Sequence, residues 1–341
     1  MPATTPGIHH VTGIVGDAQT AVDCYAGTLG LRFAKQTVNF EDVLQHHLYF
    51  GDTAGSPGTV FTAFADPHGI DGRVGKPQVE TVTFAVPDGS MAFWTERLAE
   101  ASITVQGTEE RFGERVLRFR DPAGTHVELA TDGQSSATAP DLWTGSVPEH
   151  AAIRGIAGVS LLSVNPFATA AVLETLGFEY EHESDERVRY RADGDLAAAV
   201  DIVHHEAEFG REGPGTLHHV AVRVDDEDDL HEWREYFDDN GYDVSRVKDR
   251  HFFHSLYVRE PGGILVELAT DTGGVVSDHP TPGTALELPP FFESDRDLVE
   301  SQLPELAVPD DGSTGTRPST DAQSPPSTDP GTQSSTEDDD A

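Results

Sequence analysis

Four apolar runs with matching surroundings recur along the chain: IHHVTGIV from Ile8, VETVTFAV from Val79, IAGVSLLSV from Ile156 and LHHVAVRV from Leu217. Each is followed by a stretch with apolar positions at helical spacing, Ala18 to Thr28, Ser90 to Ala101, Pro166 to Thr175 and Asp228 to Asp239. Gly30, Gly177 and Gly241 then stand where a helix C-terminus calls for a left-handed residue. The closing runs are GTVFTAF, GTHVELAT, LAAAVDIV and GGILVELAT, and the period is about 60 to 77 residues. The pattern predicts an α+β fold of four βαβββ modules. A single module covers one sheet face with its helix and needs a partner module to line the other, so paired, cupped mixed sheets are expected. Residues 1–140 would hold modules 1 and 2 as an N-terminal domain, and residues 150–280 modules 3 and 4 as a C-terminal domain.

Strand alternation puts His10 and Thr12 on one face and His9 on the other unless a bulge intervenes; His219 and His218 are related in the same way. An HH dipeptide in one strand is usually incidental, but two at the same place in two repeats are not explained so. Glu267 in an otherwise apolar closing strand is a further sign, because a buried carboxylate without a partner is costly. Two imidazoles and one carboxylate are the donor mix that holds a divalent first-row metal while leaving coordination positions open. His47 in LQHHLYFGD either lines the cup or hydrogen-bonds at a strand surface, and His204 and His205 read as surface histidines.

After Pro280 the pattern changes. Residues 281–306 read as a strap with a short helix packed on the body, and residues 307–341 as a disordered acidic tail nearly free of large apolar side chains. The 341-residue chain carries 60 acidic and 22 basic side chains, a formal charge of −38. The tail holds eight of those acids and one Arg, so the body carries most of the charge. Such a surface repels nucleic acid and anionic membranes, and with only three lysines it reads as adaptation to a concentrated-salt cytoplasm. No run is long and apolar enough to span a bilayer, and MPATTPGIHH has neither the basic nor the apolar region of a leader, so a cytoplasmic location is expected. The lone Cys24 excludes an internal disulfide or a thiolate zinc site.

IHHVT, HHLYFGD with GSPGTVFT, RFG, LHHVAV and the R-x6-Y-V-R-x-PGG-x-x-x-E run from Arg250 to Glu267, taken in order, resemble the vicinal oxygen chelate superfamily of glyoxalases, bleomycin-resistance proteins and extradiol dioxygenases. Within it they are most similar to the four-module hydroquinone ring-cleaving branch, over roughly residues 7–290. The resemblance implies that fold, a metal held by His10, His219 and Glu267, and Fe(II), with Mn(II) as the alternative, as cofactor. It implies extradiol-type cleavage of hydroquinone-type rings, with a small aromatic substrate and O2 as partners. It places residues matching Arg250, Tyr257, His218, His9 and Thr12 around the substrate or behind the ligands, the first four read as catalytic and Thr12, together with His47, as substrate-binding. The sequence departs from a simple match at His251 and His254, which add titratable groups near the pocket and leave the choice of acid or base open. Oligomeric state is left open, a homo-oligomer included.

An internal comparison bears on the ligand set. Six residues after Pro261 stands Glu267 and six after Pro122 stands Glu128, whereas the same step from Pro57 reaches Ala63. Thr81 and Gly158 take the His position in modules 2 and 3, and Asp201 is only loosely placed. One site formed by modules 1 and 4 is therefore expected, with modules 2 and 3 forming a metal-free half. A glyoxalase-like isomerase or lyase commonly uses a fourth protein ligand, which Ala63 cannot supply. A small-molecule binding or resistance protein would need the cup but no redox metal.

Overall fold

A computed structural model of the chain describes residues 2–131, 142–272, 275 and 283–309. Module 1 comprises β1 (Ile8–Val15), α1 (Ala18–Val22) continued by a π-helical turn (Asp23–Thr28), β2 (Arg32–Asn39), β3 (Asp42–Gly51) and β4 (Val60–Ala65). Module 2 comprises β5 (Gln78–Val86), α2 (Met91–Glu100), β6 (Val105–Arg111), β7 (Glu114–Arg120) and β8 (His126–Thr131). Module 3 follows with β9 (Gly155–Leu162), α3 (Pro166–Leu176), β10 (Glu179–Glu183), β11 (Arg187–Arg191) and β12 (Ala199–Val203). Module 4 has β13 (Thr216–Val224), α4 (Glu227–Asp239), the short β14 (Asp243–Val244) and β15 (Lys248–Asp249), β16 (His254–Arg259) and β17 (Leu265–Thr270).

Local chemistry sets these boundaries. Asp17, Asn165 and Asp226 cap α1, α3 and α4 by accepting backbone N–H bonds from the first turn. Gly177 ends α3 at φ +103°, a conformation that costs other residues a clash with their own Cβ. On α4 the buried Leu230, Trp233 and Phe237 fall on one face, and acids fill the first turn, where the helix dipole favours them.

Each sheet combines two modules. Modules 4 and 1 form a nine-stranded sheet ordered β14-β16-β17-β13-β1-β4-β3-β2, with β15 also paired to β16. Modules 3 and 2 form an eight-stranded sheet ordered β10-β11-β12-β9-β5-β8-β7-β6. The first strands meet antiparallel at each centre, β1 against β13 and β5 against β9. A continuous apolar core joins the helices to the sheets, with Trp94, Trp233 and Tyr25 fully buried. Tyr25 Oη donates to Asp121 at 2.9 Å and so links module 1 to module 2. Among the described residues no helix is long and apolar enough to cross a membrane.

The register settles which residues correspond. In the parallel pair within each module, the residue two beyond the His position lies opposite a closing-strand residue: Thr12 with Thr62, Thr83 with Glu128, Ser160 with Asp201 and Ala221 with Glu267. The module 1 counterpart of Glu267 is therefore Thr62, correcting the count from Pro57 that led to Ala63. The turn before β4 is one residue shorter relative to the strand than the turn before β17. Asp201, loosely placed by sequence, is the true module 3 counterpart. Gly158 carries no ligand for a packing reason as well, since a Cβ there would lie 2.4 Å from Ala199 O.

The strap lies across the open edge of the module 1 sheet. Gln36 donates to Gly283 O at 2.8 Å, and α5 (Arg296–Gln302) packs Val299 with Leu288 against Val38. Ala307 is held to Gln19 by hydrogen bonds of 2.7 and 2.9 Å. The disordered tail expected further on lies, from residue 310, outside the described residues.

Lys35 on β2 is 0 % exposed, its Nζ lacks a hydrogen-bond partner, and it sits 3.0 Å from the Phe252 ring centroid and 3.9 Å from Glu287. Burial lowers its pKa to about 7. The unfolded chain takes up this proton below pH ~10.4, but the folded chain does so only near pH 7, so stability is lost as pH falls through that window. The Lys35→Met protein is expected to be more stable at pH 7 by about 3 kcal/mol, with the advantage shrinking toward pH 10. Urea unfolding at pH 7 and 10 checks this, and a pH-independent difference would refute it.

Candidate metal centre

At the β1–β13 seam, His10 and His219 project into the cup of the first sheet, and Glu267 joins them from β17. All three are buried, and one donor atom from each lies within 4.8 Å of the other two. Glu267 Oε2 is 2.7 Å from His219 Nε2 and 3.3 Å from His10 Nε2, while the two Nε2 atoms are 3.4 Å apart. Cis ligands on metal bonds of about 2.1 Å lie about 3 Å apart, so this triangle fits one face of an octahedron. Among the described residues no aligned donor meets either oxygen of Glu267 despite full burial, its close neighbours being the two imidazole Nε2 atoms, which suits a carboxylate that binds a cation.

The protonation states fit as well. Burial pushes His219 to about 4 against the pull of Glu267. Burial alone would raise Glu267, but the facing His219 and His10 hold it well below the ordinary carboxylate range. The first histidine of each pair then has a definite place. His9 Nδ1 lies 2.9 Å from His10 Nδ1, and His218 Nδ1 lies 2.6 Å from His219 Nδ1. For both Nε2 atoms to offer lone pairs, the inner rings carry their protons on Nδ1 and donate them to the outer rings, the usual support of a metal-binding imidazole.

Beside the triad opens a cavity of about 410 Å³, lined by His10, Thr12, His47, His218, His219, Arg250, Tyr257 and Glu267 among others. His9 is not in this lining. A bulge between Ile8 and His10 turns it against His10 and Phe253 instead of the opposite sheet face. Thr12 Oγ1 is 3.0 Å from His219 Nε2. Tyr257 lies across from Glu267 in the β16–β17 ladder, and its hydroxyl accepts from Arg250 at 3.2 Å. His251 and His254 fall outside the lining: His251 is exposed on a tight turn, and His254 points toward Glu227 of α4. His204 and His205 are exposed.

Sequence reasoning missed three contributors. Tyr49 lines the cavity on the same face as His47, two residues on along β3, a period that marked it. Phe253 packs 5.5 Å from His9 and 5.7 Å from His10 and roofs the imidazoles. Lys248 donates to Glu41 at 2.7 Å, joining modules 4 and 1 at the mouth; strands distant in sequence gave no sign of this.

The second sheet repeats the positions with different chemistry. Arg111 donates twice to Glu128, at 2.7 and 2.8 Å, and Arg189 twice to Asp201, at 2.7 and 3.1 Å. Both carboxylates are thus engaged by guanidinium groups, and among the described residues the cluster suited to a metal is that of His10, His219 and Glu267.

A two-sheet protein with one His-His-carboxylate centre facing a cavity is the class these features define. The family model of the Glyoxalase/Bleomycin resistance protein/Dioxygenase superfamily matches residues 7–129 and 172–268, and the chain belongs to this superfamily. It is 41% identical over 307 residues, 89% of this chain and 97% of the relative, to "Putative ring-cleaving dioxygenase MhqO" of Bacillus subtilis. It is 31% identical over 311 residues to the chlorohydroquinone/hydroquinone 1,2-dioxygenase of Sphingobium indicum, covering 87% of this chain and 95% of that one. A crystal structure from Bacillus subtilis superimposes with a TM-score of 0.85 at 40% identity, covering 90% of this chain and 99% of the other.

Proposed function

We propose that the chain is an Fe(II)-dependent dioxygenase that opens para-dihydroxylated aromatic rings with O2, by extradiol-type cleavage beside a hydroxyl-bearing carbon. The observation that carries this reading is the triad of His10, His219 and Glu267 on one side of the cavity, three ligands that leave the opposite side to substrate and O2. The names of the relatives point the same way. Iron held by these residues would acidify a bound phenol and bring it together with O2.

The chain's own side chains do the rest. Phe64, Phe253, Ile14 and Leu265 give the cavity apolar walls that seat a ring and exclude water. Arg250 holds the Tyr257 hydroxyl by donating to it and offers positive charge to an oxyanion in the cavity. Burial raises the Tyr257 pKa well above the ordinary phenol value, so Tyr257 stays a proton donor. His218 reaches the cavity from its place behind His219 and is the second candidate donor. In the net reaction a ring C–C bond breaks, both oxygen atoms enter the product, and a hydroxymuconic semialdehyde-type compound leaves.

The glyoxalase-like isomerase reading is weaker because Thr62, whose hydroxyl is engaged by Thr12 and His47, stands where a fourth acidic ligand would be. The test is oxygen uptake in multimolar KCl, chosen for the acidic surface, by protein loaded anaerobically with Fe(II). Hydroquinone, methylhydroquinone and chlorohydroquinone are expected to consume O2 stoichiometrically with a new semialdehyde absorbance, and catechol to react more slowly. No uptake by protein with metal bound would favour the oxygen-independent reading, and tight ring binding without metal a sequestering protein.

A further inference from the structure

Thr62 occupies the register position that bears a carboxylate in the other three modules, and its hydroxyl stands in the middle of a hydrogen-bonded run. Tyr49 Oη is 3.1 Å from His47 Nδ1, His47 Nε2 is 3.0 Å from Thr62 Oγ1, Thr62 Oγ1 is 2.8 Å from Thr12 Oγ1, and Thr12 Oγ1 is 3.0 Å from His219 Nε2. Three strands supply it, β3, β4 and β1. Thr12 and Thr62 are fully buried and Tyr49 nearly so.

The run has a direction. Burial keeps His47 well below the ordinary histidine range and raises Tyr49 above the ordinary phenol range, so both are neutral near pH 7. A neutral imidazole carries a single N–H. Within the protein, the Tyr49 hydroxyl finds its acceptor in His47 Nδ1. Donation there places the ring proton on Nε2, which donates to Thr62. Thr62 then donates to Thr12, and the Thr12 proton is left to face the metal centre. The reverse order would take the Tyr49 proton from its protein acceptor and turn it toward the cavity.

We propose that Tyr49, His47 and Thr62 are positioning residues that fix Thr12 as a hydrogen-bond donor toward the oxygen of a phenolate bound at the His10–His219–Glu267 centre. The identity of that phenolate rests on the ring-cleavage reading; the direction of the run does not. A donor already aimed where negative charge gathers stabilises it without reorganisation.

Two measurements test this. Nitrogen-15 NMR of histidine-labelled apoprotein is expected to show the Nε2–H tautomer at His47 in wild type and a loss of that preference in Tyr49→Phe. Anaerobic titration of Zn(II)-loaded protein with hydroquinone is expected to show about tenfold weaker binding in Thr62→Val at unchanged Zn(II) affinity, restored in Thr62→Ser. An Nδ1–H tautomer in wild type, or Thr62→Val binding hydroquinone as tightly as wild type, would overturn the proposal. A wild-type protein that gives the expected tautomer and binding but consumes no O2 would overturn the dioxygenase reading and support the donor assignment.

Discussion

The Glu267→Gln protein is expected to fold and to lose its metal. The amide keeps the size of the side chain but gives up the anionic oxygen that closes the triangle with His10 and His219. Metal affinity should fall by at least roughly 100-fold, more than the loss usually seen when a supporting partner behind a ligand is removed. Oxygen uptake on hydroquinone should disappear with it. Because a metal that binds only the folded chain stabilises it by mass action, the rise in Tm on adding Fe(II) or Zn(II) should vanish as well. Circular dichroism and metal analysis of the purified protein give the first answer. A variant that kept one metal per chain and wild-type turnover would remove Glu267 from the ligand set. Glutamine at Glu128, the register counterpart, should leave metal content unchanged.

The second large effect belongs to the second sheet and concerns stability alone. Arg111 and Glu128 are 7 and 4 % exposed and joined by two charge-assisted bonds, with Glu109 also accepting from Arg111. Arg111→Ala leaves Glu128 buried with only the Thr83 hydroxyl donating to it, so a loss of about 3–5 kcal/mol is expected. Replacing both partners, as in Arg111→Met with Glu128→Leu, removes the stranded charge and should return most of that stability. Denaturant unfolding of the two variants decides the matter. A double variant no more stable than the single would show that the ion pair, not the desolvated charge, sets the cost. Metal content and oxygen uptake should stay at wild-type levels in both.

The two halves also show why some of the site was legible and some was not. Arg111, Arg118 and Glu128 have the same spacing as Arg250, Tyr257 and Glu267. In the second sheet the arginine closes on the carboxylate. In the first, Arg250 donates to Tyr257 and approaches Glu41 at 3.7 Å, leaving Glu267 to the histidines. Spacing alone does not separate these outcomes, because what decides them is the residue opposite, Tyr257 or Arg118, and the two strands that meet at the sheet centre. The counting error at Ala63 has a similar origin: an offset of one residue in a turn is invisible in sequence but shifts every side chain to the other face of the strand. The bulge that the alternation rule left open does occur between Ile8 and His10, and it follows from pairing with β13, which the sequence does not show.

The sequence by itself determined the four modules and their helices, through local periodicity and turn chemistry, and it marked two HH pairs and a carboxylate in an apolar strand; the choice of His10, His219 and Glu267 among them is what the resemblance implies. It also carried the pairing of modules 1 and 4, through the residues that can and cannot ligate. Only the tertiary structure decided that each outer histidine backs an inner one, that Thr62 inherits the fourth ligand position, and that Tyr49, His47, Thr62 and Thr12 form one hydrogen-bonded run. Those arrangements depend on register between strands up to two hundred residues apart, fixed when the sheets close around a shared core and not by any neighbour along the chain.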